Sequence, residues 1–135
     1  MQLTRIIFFL LLGITMPLLQ AAEVTKIVLH VNDGFKLGHL EKSVNNLFKE
    51  MGPEIDVKVV VNGKAVTRML KGNVESEKIV KSVLNYQVPI GLCHNAVNNN
   101  HVKEEMLIDG LKVLENDGNV TILQYQKQGY YYIKL

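Results

Sequence analysis

Short apolar runs alternate with helical periodicity from residue 24 to the last. Lys26-Ile27-Val28-Leu29-His30-Val31 is a β-rich run that ends in the turn signal Asn32-Asp33-Gly34. Leu37, Leu40, Val44, Leu47, Phe48 and Met51 then recur at spacings of three and four, which places them on one face of a helix. Lys42, Asn45, Lys49 and Glu50 fall outside that face, and Gly52-Pro53 stops the helix. Ile55 to Val61 predicts a second strand, closed by Asn62-Gly63. Val66, Met69 and Leu70 fit a short helix. Glu75 to Tyr86 fits a longer one, with Ile79, Val80, Val83 and Leu84 inward. Val88 to Cys93 reads as a third strand, Val102 to Leu107 as a helical turn, and Leu111 to Leu114 as a short fourth strand. Asn119 to Gln128 is ambiguous between helix and strand, and Tyr130 to Ile133 reads as a final strand.

Strands separated by helical segments of this length form βαβ units and a parallel sheet. Right-handed crossovers put helices on both faces. The expected object is α/β, a three-layer α/β/α domain with about five strands. Ligands of such sheets meet the carboxyl ends of the strands. Cys93, Asn32-Asp33-Gly34 and Asn62-Gly63 all belong to that edge.

The first residues change the picture of where the chain works. Arg5 precedes the apolar run Ile6 to Ile14, and Pro17 and Leu19-Gln20-Ala21-Ala22 follow. That is the order of charge, apolar core and small-residue cleavage site in a secretory signal peptide. The run is too short for a comfortable membrane span. Cleavage after Ala21 or Ala22 is expected, giving a signal peptide over 1–22 and one domain over 23–135, located in the periplasm. A chain of about 113 residues buries roughly two thirds of its unfolded surface, so it can fold without disulfides. It must, because Cys93 is the only cysteine. The full chain has 15 basic and 13 acidic residues, and without Arg5 the balance is 14 against 13. With no basic cluster, nucleic acid is not expected as a partner. No membrane partner is expected once the signal is removed.

Cys93 is the main candidate for chemistry. A thiol where a strand gives way to a helix is favoured as the anion by free backbone N–H groups and the helix dipole. His94, His101 and Asn95 are close in sequence and could assist. The competing reading is a buried structural thiol, since free cysteine is among the most buried residue types. A metal site would have Cys93, His94 and His101 as ligands, with Glu104 and Glu105 nearby, but no CxxC, HExxH or paired Cys/His spacing supports one. A dinucleotide site lacks GxGxxG, and no GxxxxGK[ST] loop occurs, so no cofactor is expected. A serine hydrolase lacks GxSxG, and Ser43, Ser76 and Ser82 all lie in expected helices. His30 either lines the site or caps the strand end. Tyr130-Tyr131-Tyr132 suits core and subunit-interface packing. Asn119-Val120-Thr121 matches a glycosylation sequon.

Four stretches together resemble the DsrE/DsrF-like sulfur-relay family, in its exported small members. They are Val28-Leu29-His30-Val31; Ser43-Val44-Asn45-Asn46-Leu47 leading into Val57 to Val66; Cys93-His94-Asn95-Ala96; and the ending Gln126-Lys127-Gln128-Gly129-Tyr130-Tyr131-Tyr132-Ile133. The resemblance spans nearly all of residues 24–135. It implies a five-stranded parallel sheet, a helix over Asn119–Gln128, and assembly into trimers or hexamers. It implies that Cys93 accepts sulfane sulfur as a persulfide and passes it to a partner protein. His94 and Asn95 could supply hydrogen bonds to the charged sulfur, and His30 is a further candidate binding residue. Two features depart from the family pattern. Relay members work in the cytoplasm, and many relatives carry a basic residue and glycine where this chain has Asn98-Asn99-Asn100. The alternative class is a non-catalytic oligomeric or small-molecule binding module in which Cys93 is structural.

Overall fold

The computed structural model describes residues 23–135, and the expected signal peptide lies outside the described residues. Five strands form one sheet: β1 (Thr25–Val31), β2 (Ile55–Val61), β3 (Ile90–Leu92), β4 (Lys112–Val113) and β5 (Tyr131–Lys134). Their order is β4-β3-β2-β1-β5, and every pairing is parallel. The helices are α1 (Leu37–Met51), α2 (Val74–Asn85), α3 (His94–Asn99) and α4 (Gly118–Lys127).

The strand order decides which face each helix covers. The chain steps from β1 to β2, β3 and β4 in one direction across the sheet. With right-handed crossovers, α1, α2 and α3 must lie on the same face. The last connection runs back past β1 to β5, so α4 lies on the opposite face. Burial agrees. Ile27, Leu29, Val31, Val57, Val59, Val61, Ile90 and Leu92 share one core with Leu40 and Val44 of α1, Ile79, Val80 and Val83 of α2, and Ala96 and Val97 of α3. Val28 and Val60 point the other way, into a smaller cluster with Ile122 of α4 and Tyr130. The three layers are therefore unequal: one outer layer holds three helices and the other holds one.

Most expected elements stand close to where the pattern puts them, and the differences have local causes. α1 starts at Leu37 and stops at Gly52, whose φ of 83° continues no right-handed helix. α2 begins after Asn73, whose side chain accepts the Ser76 N–H. The stretch around Val66, Met69 and Leu70 is a 3-10 turn, Gly63–Arg68, rather than an α-helix. Val102–Leu107 likewise holds only a 3-10 turn at Glu104–Met106. The fourth strand shrinks to Lys112–Val113 because it pairs only with the short β3. Asn119–Gln128 lies almost wholly in α4, as the family resemblance implies. The third strand does not reach Cys93: it ends at Leu92, and Cys93 turns the chain into α3 with φ −57° and ψ 121°.

Candidate functional site at the end of the third strand

A parallel sheet opens a crevice where neighbouring strands send their chains to opposite faces. Here those neighbours are β3 and β4, because α3 follows β3 on one face and α4 follows β4 on the other. Cys93 is the residue after β3, and Asp117-Gly118 opens α4. The single thiol therefore sits at the switch point of the sheet.

The local sequence builds this position. Apolar Ile90, Gly91 and Leu92 are buried on both sides of β3, and the Cys93 N–H extends the ladder to the Val61 carbonyl at 2.8 Å. The backbone of Cys93 is thus fixed before its side chain meets anything. Its Sγ accepts the Gly118 N–H at 3.1 Å, which turns one unsatisfied donor of the α4 amino end onto the sulfur. Gly118 comes this close because it lacks a side chain: a Cβ there would stand 3.0 Å from Cys93 Cβ and 3.3 Å from Asn62 Nδ2. On its other side the Cys93 thiol donates to Asp117 Oδ2 across 3.5 Å. Asn95 Nδ2 donates to the same oxygen at 3.1 Å. Asp117 also caps α4, with Oδ1 accepting the Asn119 N–H at 2.8 Å. That N–H first of all, with the Cys93 thiol and the Asn95 amide, holds the Asp117 carboxyl below the usual carboxylate range.

The electrostatics of the sulfur are mixed. The Gly118 N–H favours negative charge on Sγ, and the ionised Asp117 opposes it. As a neutral thiol, Cys93 satisfies both neighbours at once. As an anion it keeps one partner and faces a carboxylate. Cys93 is 1% exposed, so a reagent reaches the sulfur only if its cover moves. That cover includes half-buried Asp117 and exposed Asn95.

The other candidates part company. Asn95 joins the site through Asp117. His94 is exposed and turned toward Asn98, with its Nε2 2.9 Å from the Asn98 amide nitrogen one helical turn on. His101 is exposed at a left-handed backbone position, φ 54°, after α3 has ended. Among the described residues no three His, Cys, Asp or Glu side chains group in a way that could hold a metal ion. His30 lies on β1, two strands away from β3, or about 10 Å across the sheet. Its Nδ1 bonds the Tyr132 hydroxyl at 2.8 Å, and its Nε2 is buried without a partner. Burial foremost, and then the charge of Lys134, lower its pKa. The run Asn98-Asn99-Asn100, which departs from the family pattern, is structural in part: Asn100 Nδ2 donates to the Ala96 carbonyl at 2.7 Å and closes α3.

Asn62, expected on the same strand edge as Cys93, does reach the site, with its Nδ2 beside Gly118. Asp117 and Gly118 are the site residues that the one-dimensional pattern did not single out, although their signal was present. Asn116-Asp117-Gly118-Asn119 is a turn cluster directly before a helical stretch, which is where an N-cap aspartate belongs. Nothing in the sequence connects that cap to a cysteine 24 residues earlier. Thr121 of the sequon is buried within α4 and its hydroxyl donates to the Asp117 carbonyl, so this motif is part of a helix's first turns.

Comparison with known proteins assigns a family to the chain. The model of the DsrE/DsrF-like family matches residues 25–135. No curated protein matches. Among solved structures, the chain is similar to MTH1491 of Methanobacterium thermoautotrophicum, a protein of unknown function, at 21% identity and TM-score 0.75, covering 82% of this chain and 99% of that one. It is similar to the ychN protein of E. coli at 18% identity and TM-score 0.68, over 83% of this chain and 100% of that one. BT1422 of Bacteroides thetaiotaomicron, a conserved protein of unknown function, shares the fold at 15% identity and TM-score 0.65, over 82% and 94% of the two chains. At these identities the likeness is one of fold. Among the described residues no helix is long and apolar enough to cross a membrane.

Proposed function

The chain belongs to the DsrE/DsrF-like family, and from that premise we propose that it is a periplasmic sulfur carrier that holds sulfane sulfur as a persulfide on Cys93. The observation that carries the reading is the Gly118 N–H aimed at Sγ from 3.1 Å, at the switch point of the sheet. In the step proposed, the Cys93 sulfur attacks the outer sulfur of a donor persulfide, R–S–SH. The donor S–S bond breaks, a new S–S bond forms at Cys93, and the Cys93 proton leaves with the departing thiol R–SH. The reverse attack by an acceptor thiol regenerates Cys93–SH. Nothing is oxidised or reduced overall. The added sulfur lies about 2 Å beyond Sγ, which moves the negative charge off the buried atom and outward. Displacement of the Asp117 side chain opens the way and removes the opposing charge in one movement.

Mass spectrometry of the protein after incubation with a polysulfide donor tests this. Addition of the mass of one sulfur atom, absent in Cys93→Ala, is expected. An unmodified wild-type protein, or an adduct that persists in Cys93→Ala, sinks the reading. Burial of Cys93 to 1% exposure favours a second reading, a structural thiol in a non-catalytic binding module. In that case thiol reagents react only after unfolding, and no donor yields an adduct on the native protein. Export is tested by fractionating cells and locating the shortened chain.

Assembly as a homo-oligomer, a trimer or hexamer, belongs to the same reading. β5 is an edge strand whose outer side pairs with nothing among the described residues, and Tyr131, Tyr132 and Ile133 on it are exposed. Bare apolar edge strands tend to be covered by another chain. Sedimentation analysis tests assembly, and a purely monomeric protein at working concentration would count against it.

A further inference from the structure

The carboxyl edge of the sheet carries a second feature, over β1 and β2 rather than β3 and β4. A cavity of about 470 Å³ opens there between the turn after β1 and the 3-10 turn after β2. That volume suits a small organic molecule. Asn32, Asp33 and Phe35 line one wall, and Lys64, Thr67 and Arg68 line the other.

Three observations indicate what the cavity takes. First, the position of Arg68 is built in. Gly34 has an ordinary φ, so no backbone requirement calls for glycine there, but a Cβ would fall 2.5 Å from Arg68 Cγ. The missing side chain is what lets the Arg68 stem lie across the β1 turn. Second, the cations are largely unspent. Lys64 makes no ion pair among the described residues, and the Arg68 pair with Glu75 is a loose 3.5 Å contact to a carboxylate that is 73% exposed. Such a pair is worth little. Arg68 Nε is also buried with no acceptor, so the protein leaves the guanidinium's hydrogen bonding incomplete. The one acid in the wall is engaged locally, since Asp33 Oδ1 accepts the Phe35 N–H at 3.0 Å. Third, Phe35 is 91% exposed. A phenyl ring held in water beside a cationic cavity offers its face to the apolar body of a ligand.

We propose that this cavity binds a small organic anion, with Lys64 and Arg68 on its oxyanion head and Phe35 against its apolar body. The site is separate from the Cys93 site and does not depend on the sulfur-carrier reading. Carboxylates and phosphates share the chemistry, and Arg is suited to both through its planar fork.

Isothermal titration of the protein with benzoate and with phenyl phosphate tests it, with benzyl alcohol as a neutral probe of the same body. Both anions are expected to bind and benzyl alcohol is not. The tighter of the two identifies carboxylate or phosphate as the head group. Lys64→Gln and Phe35→Ala change exposed side chains and leave the fold intact. Each is expected to weaken the anions about tenfold, as loss of a charge-assisted contact or an aromatic face does. Arg68→Gln is expected to weaken them at least as much. Absence of binding by either anion, equal binding of benzyl alcohol, or affinities unchanged in both Lys64→Gln and Phe35→Ala would overturn the proposal.

Discussion

Replacing Gly118 with alanine sets two effects of opposite sign against each other. Gly118 is the first residue of α4 and has an ordinary φ, so alanine is compatible with its backbone. On that ground Gly118→Ala would stabilise by about 0.4–1 kcal/mol, mainly by restricting the unfolded chain. Against this stands the contact at the site. The new methyl carbon would lie 3.0 Å from Cys93 Cβ and 3.3 Å from Asn62 Nδ2. Asn62 Nδ2 can swing, since its bond to Asn119 is a weak 3.4 Å. Cys93 Cβ cannot, because its backbone is held by the 2.8 Å bond to Val61 and its side chain is buried. The first turn of α4 must therefore retreat by a few tenths of an ångström. Overpacking of this kind costs about 1–3 kcal/mol, so the steric term wins and a net loss of about 1 kcal/mol is expected. The same retreat lengthens the Gly118 N–H contact to sulfur and loosens the cover, so native-state alkylation of Cys93 by iodoacetamide should quicken. Urea unfolding with an unchanged m-value and alkylation kinetics are the two measurements. A variant as stable as the parent or more so, with an unchanged alkylation rate, would refute the tight Cys93–Gly118 contact.

Asp117→Asn keeps a helix-capping side chain while removing a charge 3.5 Å from the sulfur. A unit charge at that distance in a water-like medium is worth about 1 kcal/mol, so iodoacetamide should react with Cys93 roughly fivefold faster; an equal or slower rate would show that Asp117 does not oppose the sulfur anion. Tyr130→Phe removes the hydrogen bond from the Tyr130 hydroxyl to Asp56, which ties the end of α4 to the start of β2. Because the carboxylate is partly exposed, a loss of about 1–2 kcal/mol is expected in urea unfolding, and a loss below about 0.5 kcal/mol would show that water replaces the bond freely. His30 has a folded pKa below its ordinary 6.5. The unfolded chain therefore binds its proton first, so the stability that His30 contributes is whole above pH 6.5 and falls as pH drops below it toward the folded pKa. His30→Gln should flatten the unfolding free energy over that window, by at most about 1.4 kcal/mol per pH unit, and an unchanged slope would remove His30 as its source.

Much of the fold is legible along the chain because its cause is local. The three-and-four spacing from Leu37 to Met51 makes one apolar stripe, and Gly52-Pro53 ends it whatever the surroundings. The apolar triplets Ile27-Val28-Leu29 of β1 and Val59-Val60-Val61 of β2 are those of central parallel strands, buried on both faces, whereas the first residues of each strand are only half-buried. The stretch 119–128 was harder. α4 lies over only the smaller cluster, so its exposed side keeps Val120 and Leu123 and blurs the contrast between inward and outward positions. The short segments at Val66–Leu70 and Val102–Leu107 settle into 3-10 turns because their ends are pinned: Leu70 and Leu107 bridge each other. No local pattern encodes that pairing.

The same division runs through the site. The sequence by itself determined that Cys93 stands at the carboxyl end of a buried strand with a polar segment after it, because an apolar run and a polar break are properties of neighbouring residues. It also carries a turn signal at Asn116-Asp117-Gly118, but leaves the stretch after it open between helix and strand. Only the tertiary structure decided that these two places meet. The meeting depends on the last crossover running back past β1, which sends α4 to the face opposite α3 and brings its amino end over the carboxyl end of β3. His30 and His94 illustrate the converse. Both carry suitable chemistry and suggestive positions in the chain, yet strand order separates the first from the thiol, and helical geometry turns the second toward Asn98.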